Sequence, residues 1–157
     1  MSIVLYRIDD RLIHGQVMTA WTKVYSTTRI FVVDDETASD KFLCDVFKMA
    51  IPEDYQVSIF KVEDAVQVIK DDPANVRTLV LAKSPKVMLQ LVEAGVAMKE
   101  LNVGNMGSCA GRKAVMRSTQ LSREEYDQLK QLNNRGIRVY FQVFPDAKSV
   151  EFNKCNY

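Results

Sequence analysis

The residues best suited to chemistry lie near the start of the chain, in Arg7-Ile8-Asp9-Asp10-Arg11-Leu12-Ile13-His14-Gly15-Gln16-Val17. His14 is the only histidine. Two carboxylates, Asp9 and Asp10, and two arginines, Arg7 and Arg11, stand close beside it in the chain. A neutral imidazole can attack a phosphoryl group and hold it as a reactive N–P bond. Such a site needs one free ring nitrogen and a partner that fixes the proton on the other. It also needs donors for a phosphoryl group of roughly two negative charges. Arg11 can supply a charge-assisted fork, and each such bond is worth about 1.5–3 kcal/mol. Asp9 or Asp10 can orient Arg11 or tune the ring, and Gly15 leaves room for a bulky group beside it.

The flanking residues predict how this stretch is positioned. Ile3-Val4-Leu5-Tyr6 reads as a buried strand, and Val17, Ala20, Trp21 and Val24 recur as one helix face. His14 therefore falls where a strand gives way to a helix, a place with free backbone N–H groups and a positive dipole end. Open α/β sheets bind ligands at that end of their strands.

Strand and helix patterns then alternate. Further strands are predicted at 29–33, 56–60, 77–82, 100–103 and 137–143, with a short extended piece at 114–118 and a weak edge strand after Pro145. Thr37 is a candidate cap for a helix whose apolar stripe is Leu43, Val46, Phe47 and Ala50 and which ends before Pro52. Val62, Ala65, Val66 and Ile69 make another stripe. Ser84-Pro85 opens a helix packed by Val87, Met88, Leu91 and Val92. Ser122 with Glu125 forms a capping box for the last long helix. The expected fold is α/β: an open, mostly parallel sheet of six to seven strands with helices on both faces; the pattern leaves the strand order open, and one order compatible with it has strand 1 central. One domain is expected to span 1–157. With strand 4 placed across strand 1 from strand 2, Asp9–His14 would face Lys83 and Ser84, with a mobile, glycine-rich loop from Gly104 and Asn105 nearby.

Composition excludes several classes. With 21 Lys and Arg against 20 Asp and Glu, the chain lacks the basic excess of a nucleic-acid binder. It has no apolar run long enough for a membrane span and no secretory signal pattern. Cys44, Cys109 and Cys155 are widely spaced and are expected to be reduced thiols in a cytoplasmic protein. Reactivity at Cys109 would require a nearby positive charge, for which Arg112 is the obvious donor. A metal site on His14, Asp9 and Asp10 lacks the further imidazole or thiolate ligands that catalytic zinc takes. Dinucleotide, P-loop and nucleophile-elbow motifs are absent. No metal or nucleotide cofactor is expected.

The first motif resembles the signature of the IIB subunits of the mannose/fructose/sorbose-type sugar phosphotransferase system. The resemblance covers nearly the whole chain and includes Val32-Val33-Asp34-Asp35, Lys83-Ser84-Pro85 and Asn102-Val103-Gly104-Asn105-Met106. It implies that His14 accepts a phosphoryl group on Nδ1 from a IIA phosphohistidine. It implies transfer onward to a sugar hydroxyl, normally at carbon 6, while membrane IIC and IID subunits import the sugar. Asp9 and Arg11 match family positions beside the active histidine. Asp10, Ile13, Gly15, Gln16, Lys83, Ser84, Gly104 and Asn105 are the further candidates for the site. The resemblance also implies a cytoplasmic protein held at the inner membrane face through IIC and IID, with dimers in some members. Met18, Trp21 and Met106 are candidate contacts for IIA, although periodicity places Trp21 in the core. Two rival readings are a phosphohistidine module that reports sugar status and a non-catalytic small-molecule binding domain.

Overall fold

The computed structural model describes residues 2–15 and 17–157, apart from the side chain of Met18. Its strands are β1 (Ile3–Ile8), β2 (Arg29–Val33), β3 (Gln56–Phe60), β4 (Thr78–Ala82), β5 (Glu100–Val103), β6 (Lys113–Met116), β7 (Thr119–Leu121), β8 (Arg138–Phe141) and β9 (Val150–Glu151). Its α-helices are α1 (Thr22–Val24), α2 (Asp35–Ala38), α3 (Lys41–Met49), α4 (Val62–Lys70), α5 (Pro85–Glu93) and α6 (Arg123–Asn134).

Seven strands form one sheet in the order β3-β2-β4-β1-β5-β8-β9. All pair in parallel except β8 with β9, which are antiparallel. Residues 113–121 form a separate hairpin, β6 with β7. Alternation along the strands splits the core in two. Tyr6, Ile8, Val80 and Ala82 face Ala65 and Ile69 of α4, Met88 and Leu91 of α5, and Leu129 and Leu132 of α6. Leu5, Ile30, Val32, Leu79 and Leu81 face Leu12, Ile13, Val17 and Trp21, with Phe47 of α3 packed beside them. The α/β class, the central β1 and the helices on both faces are as expected.

The position of β4 differs from expectation. It lies between β1 and β2, and β5 takes the other flank of β1. Burial accounts for this: every residue of β4 is buried, whereas β3, at the sheet edge, has none fully buried. The most apolar strand gains most from a place where neighbours and helices cover it on all sides. The registers of Ile8 with Ala82 and with Val103 put the ends of β4 and β5 on either side of the turn that follows β1.

Three helices also differ. Residues 17–21 form a π-helical turn that runs into the three-residue α1. Its wider repeat keeps Val17 and Trp21 buried but turns Val24 out to solvent. The helix expected after β2 is broken into α2 and α3, because Asp34 and Asp40 each accept from a backbone N–H and start a helix of their own. Thr37 is inside α2, its hydroxyl donating to Asp34. On α3, Leu43 and Phe47 are half-buried, but Val46 and Ala50 are exposed along with Phe42 and Met49. The Ser122–Glu125 capping box is present on α6. No helix of the described residues is long and apolar enough to cross a membrane.

Candidate functional site

The site is built on the turn that leaves β1. Asp9 continues the ladder, its N–H donating to the Ala82 carbonyl at 2.9 Å, while the Gly104 N–H donates to Ile8 at 2.8 Å. The chain then reverses: the Leu12 N–H returns to the Asp9 carbonyl at 2.9 Å, and Leu12 adopts the left-handed region with φ of 54°. That conformation costs a non-glycine residue about 1–3 kcal/mol. Complete burial of the Leu12 side chain is worth a comparable amount, about 1.5–3 kcal/mol, and holds the turn. Ile13 is buried beside it in the same core. The two apolar side chains anchor the turn from below and leave His14 at the rim, its side chain 14% exposed.

Asp9 is the hub. Its side chain is fully buried, and its Oδ2 accepts from His14 Nε2 at 2.9 Å, Arg7 Nη2 at 3.2 Å and Asn105 Nδ2 at 3.3 Å. Its Oδ1 accepts from the Arg11 N–H at 3.1 Å, with Arg11 Nε at 3.8 Å. An ionised carboxylate only accepts, so His14 Nε2 carries the proton and Nδ1 keeps the lone pair. None of the described residues hydrogen-bonds Nδ1. The Arg11 side chain is 53% exposed, so its guanidinium is free to meet an incoming anion. A Cβ at Gly15 would meet nothing within 4 Å, so the space next to the ring is open.

The other candidates fall into place around this hub. Asn105 joins it through Asp9. Gly104 lies against Arg7. Asp10 turns away from the ring: its N–H donates to the Asn105 carbonyl at 2.9 Å, and its Oδ2 accepts from the Gly107 N–H at 2.6 Å and lies 3.8 Å from Arg112 Nη1. Lys83, at the end of β4, pairs with Asp34 across 3.5 Å rather than with His14. Ser84 occupies the N-cap position of α5, but its hydroxyl accepts none of that helix's N–H groups. Gln16 lies outside the described residues, as does the side chain of Met18.

The loop from Gly104 is less free than its glycines suggest. Besides the bonds to Ile8 and Asp10, the Thr119 hydroxyl donates to the Gly104 carbonyl at 2.8 Å. Met106 is fully buried in the core beneath it, which removes it as a surface contact for a partner. Trp21 is 1% exposed and is likewise core. Arg112 donates to the Gly107 carbonyl and, through two nitrogens, to both oxygens of Glu125. Its guanidinium is thus engaged by Glu125 and Gly107 while lying within electrostatic reach of the exposed Cys109. Burial alone would raise the Glu125 carboxyl, but the Arg112 bonds and the capping bond to Ser122 hold it below the usual carboxylate range.

Sequence reasoning assigned no role to Arg7, although a signal was present. Residues two apart in a strand face the same side, so a charged Arg7 in a buried strand calls for a partner such as Asp9. Its other partners are distant in sequence. Nη1 donates to Asn102 Oδ1 and to the Gln142 carbonyl at 2.9 Å, and Nη2 donates to the Val143 carbonyl at 3.1 Å. Nothing local in the chain announces these.

The protein-family model described as "PTS system sorbose subfamily IIB component" matches residues 3–156. The fructose-specific EIIB component of Bacillus subtilis (strain 168) is 31% identical over 153 residues, covering 97% of this chain and 94% of that protein. The sorbose-specific EIIB component of Klebsiella pneumoniae is 32% identical over 151 residues, covering 96% and 92%. The crystal structure of the IIBSor domain of the Klebsiella pneumoniae sorbose permease superposes with a TM-score of 0.88 at 32% identity, covering 96% of this chain and 93% of that one. The match runs through the β1 turn as well as the sheet, and the chain belongs to the sorbose subfamily of IIB components of the sugar phosphotransferase system.

Proposed function

We propose that the chain, acting as one IIB unit over 1–157, is a phosphoryl carrier in which His14 is loaded by a IIA phosphohistidine and discharged onto a sugar. The Asp9–His14 contact of 2.9 Å carries this reading, because it fixes the proton on Nε2 and leaves Nδ1 as the nucleophile. In loading, the Nδ1 lone pair attacks phosphorus, the new N–P bond forms and the donor's N–P bond breaks. The His14 ring becomes cationic, and the buried Asp9 carboxylate at Nε2 stabilises that charge in place. Arg11 meets the phosphoryl oxygens from the solvent side. In discharge, the sugar hydroxyl at carbon 6 attacks phosphorus, an O–P bond forms, the N–P bond breaks and the hydroxyl proton passes to solvent water. The cationic ring departs as a neutral imidazole, which makes it a good leaving group.

IIA is the donor, and the membrane IIC and IID subunits present the sugar and hold this chain at the inner face of the membrane. The relatives' names support such a chain of partners: a mannose-specific EIIAB component of Escherichia coli, 36% identical over 140 residues, carries both letters in one protein. The test is incubation with a phosphorylated IIA donor, followed by membranes bearing IIC and IID with a sugar panel. Acid-labile, base-stable label on His14 that moves to sugar is expected. No label would overturn the carrier reading, and label that never reaches sugar would favour a reporter of sugar status.

A further inference from the structure

Arg7 is fully buried on β1, tied into the sheet by four side-chain hydrogen bonds and set back from the rim where His14 stands. Its guanidinium is held on every side. The Trp21 ring covers one face, 4.5 Å from Cζ. The Gly104 backbone lies close against it: a Cβ there would stand 2.2 Å from Nη2 and 2.4 Å from Cζ. Its two terminal nitrogens reach Asp9, Asn102 and the consecutive carbonyls of Gln142 and Val143 at the end of β8. Trp21 Nε1 donates to the same Val143 carbonyl at 3.1 Å. Only Nε has no partner among the described residues.

A buried guanidinium must find acceptors for its N–H donors, and four such bonds are made here. A salt bridge alone would require one contact with Asp9. Here a planar fork is clamped between a ring and a glycine and tied to two neighbouring strands, so the Asp9 oxygen it touches has a fixed position. That oxygen, Oδ2, is the one that receives the His14 proton. We infer that Arg7 is a positioning residue for phosphoryl transfer: it fixes Asp9 Oδ2 so that the His14 proton stays on Nε2 and Nδ1 stays a nucleophile. The inference rests on the carrier reading for its rate consequence, but its structural consequence is visible on the ring without any transfer.

Because His14 is the only histidine, 15N-histidine labelling gives one imidazole, whose two nitrogens report the tautomer directly. Lysine at position 7 keeps the charge but not the two-nitrogen fork. Arg7→Lys is therefore expected to fold and to shift the neutral ring toward the Nδ1-protonated form. It should slow phosphoryl acceptance from IIA by about 10- to 100-fold, the scale on which small misplacements act, with KM for the donor unchanged. Arg7→Met made in an Asp9→Asn background leaves no unpaired buried carboxylate. It should be no slower than Asp9→Asn alone, because Arg7 acts through Asp9. A folded Arg7→Lys with wild-type ring signals and rate would overturn the inference, as would losses that multiply in the double variant. A wild-type protein that shows the Nε2-protonated ring but takes no phosphoryl group would instead overturn the carrier reading alone.

Discussion

Asp9 Oδ2 and His14 Nε2 are 2.9 Å apart, and the carboxylate is completely buried while the ring reaches the surface. An acceptor fixed beneath an imidazole decides which nitrogen faces outward. Asp9→Asn should remove that decision, because the amide presents an N–H2 group as readily as an oxygen. Phosphoryl acceptance is expected to fall by on the order of 10²–10⁴-fold, as when an orienting aspartate is neutralised in a catalytic triad. Single-turnover labelling from phosphorylated IIA would measure it, and a loss below threefold would mean the contact is incidental.

His14→Ala should abolish labelling while leaving the fold intact. The ring is at the rim, and the turn beneath is held by Leu12 and Ile13, so little packing is lost. Circular dichroism and a thermal melt provide the check, and collapse of the fold would show the ring to be structural.

Arg11→Ala should act on rate rather than on recognition. Its side chain is half exposed and touches Asp9 only at 3.8 Å, so the fold does not depend on it. Loss of one charge-assisted bond worth about 1.5–3 kcal/mol predicts a rate lower by about 10- to 100-fold. Unchanged turnover with a raised half-saturation for IIA would contradict this.

Gly104→Ala should damage the site from behind. The added methyl group would overlap the Arg7 guanidinium, and neither the Trp21 ring nor β8 leaves it room to retreat. Overpacking of this kind costs about 1–3 kcal/mol. A lower Tm together with slower labelling is expected; a wild-type melt and rate would show that Arg7 can move without consequence.

The Arg112–Glu125 pair links the loop after β5 to the start of α6, and its contribution depends on pH. Glu125 is held below its usual range in the folded protein. A lowered carboxylate contributes stability that is complete above its unfolded value of about 4.3 and is lost as pH falls through the lower folded value. Glu125→Gln should therefore flatten the acid limb of a stability-against-pH curve, measured by urea melts, and leave the neutral limb parallel to wild type. An unchanged acid limb would mean other carboxylates dominate it.

Much of this architecture is legible in the chain because it follows from local rules. The apolar runs of β1, β2 and β4, the Ser122–Glu125 box and the His14 corner each declare themselves within a few residues. What escaped depends on contacts between distant segments. The place of β4 is set by how completely it is buried against its neighbours, which no single strand reveals. Leu12 adopts a glycine-like conformation because its own burial offsets the strain, so no glycine marks the turn. Met106 sits in a polar, glycine-rich loop yet reaches the core, since Asp10 and Thr119 draw that loop down onto the sheet. Arg7 was visible as a charge in a buried strand, but its acceptors just past β8, the Gln142 and Val143 carbonyls, lie 135 and 136 residues away.

The most direct test of the whole account is the identity of the phosphorylated atom. The 15N-histidine-labelled protein, loaded by phosphorylated IIA and observed at alkaline pH where the N–P bond persists, should carry its phosphoryl group on Nδ1 of His14, with phosphorus–nitrogen coupling to that nitrogen alone. A phosphoryl group on Nε2, or on any residue other than His14, would contradict it.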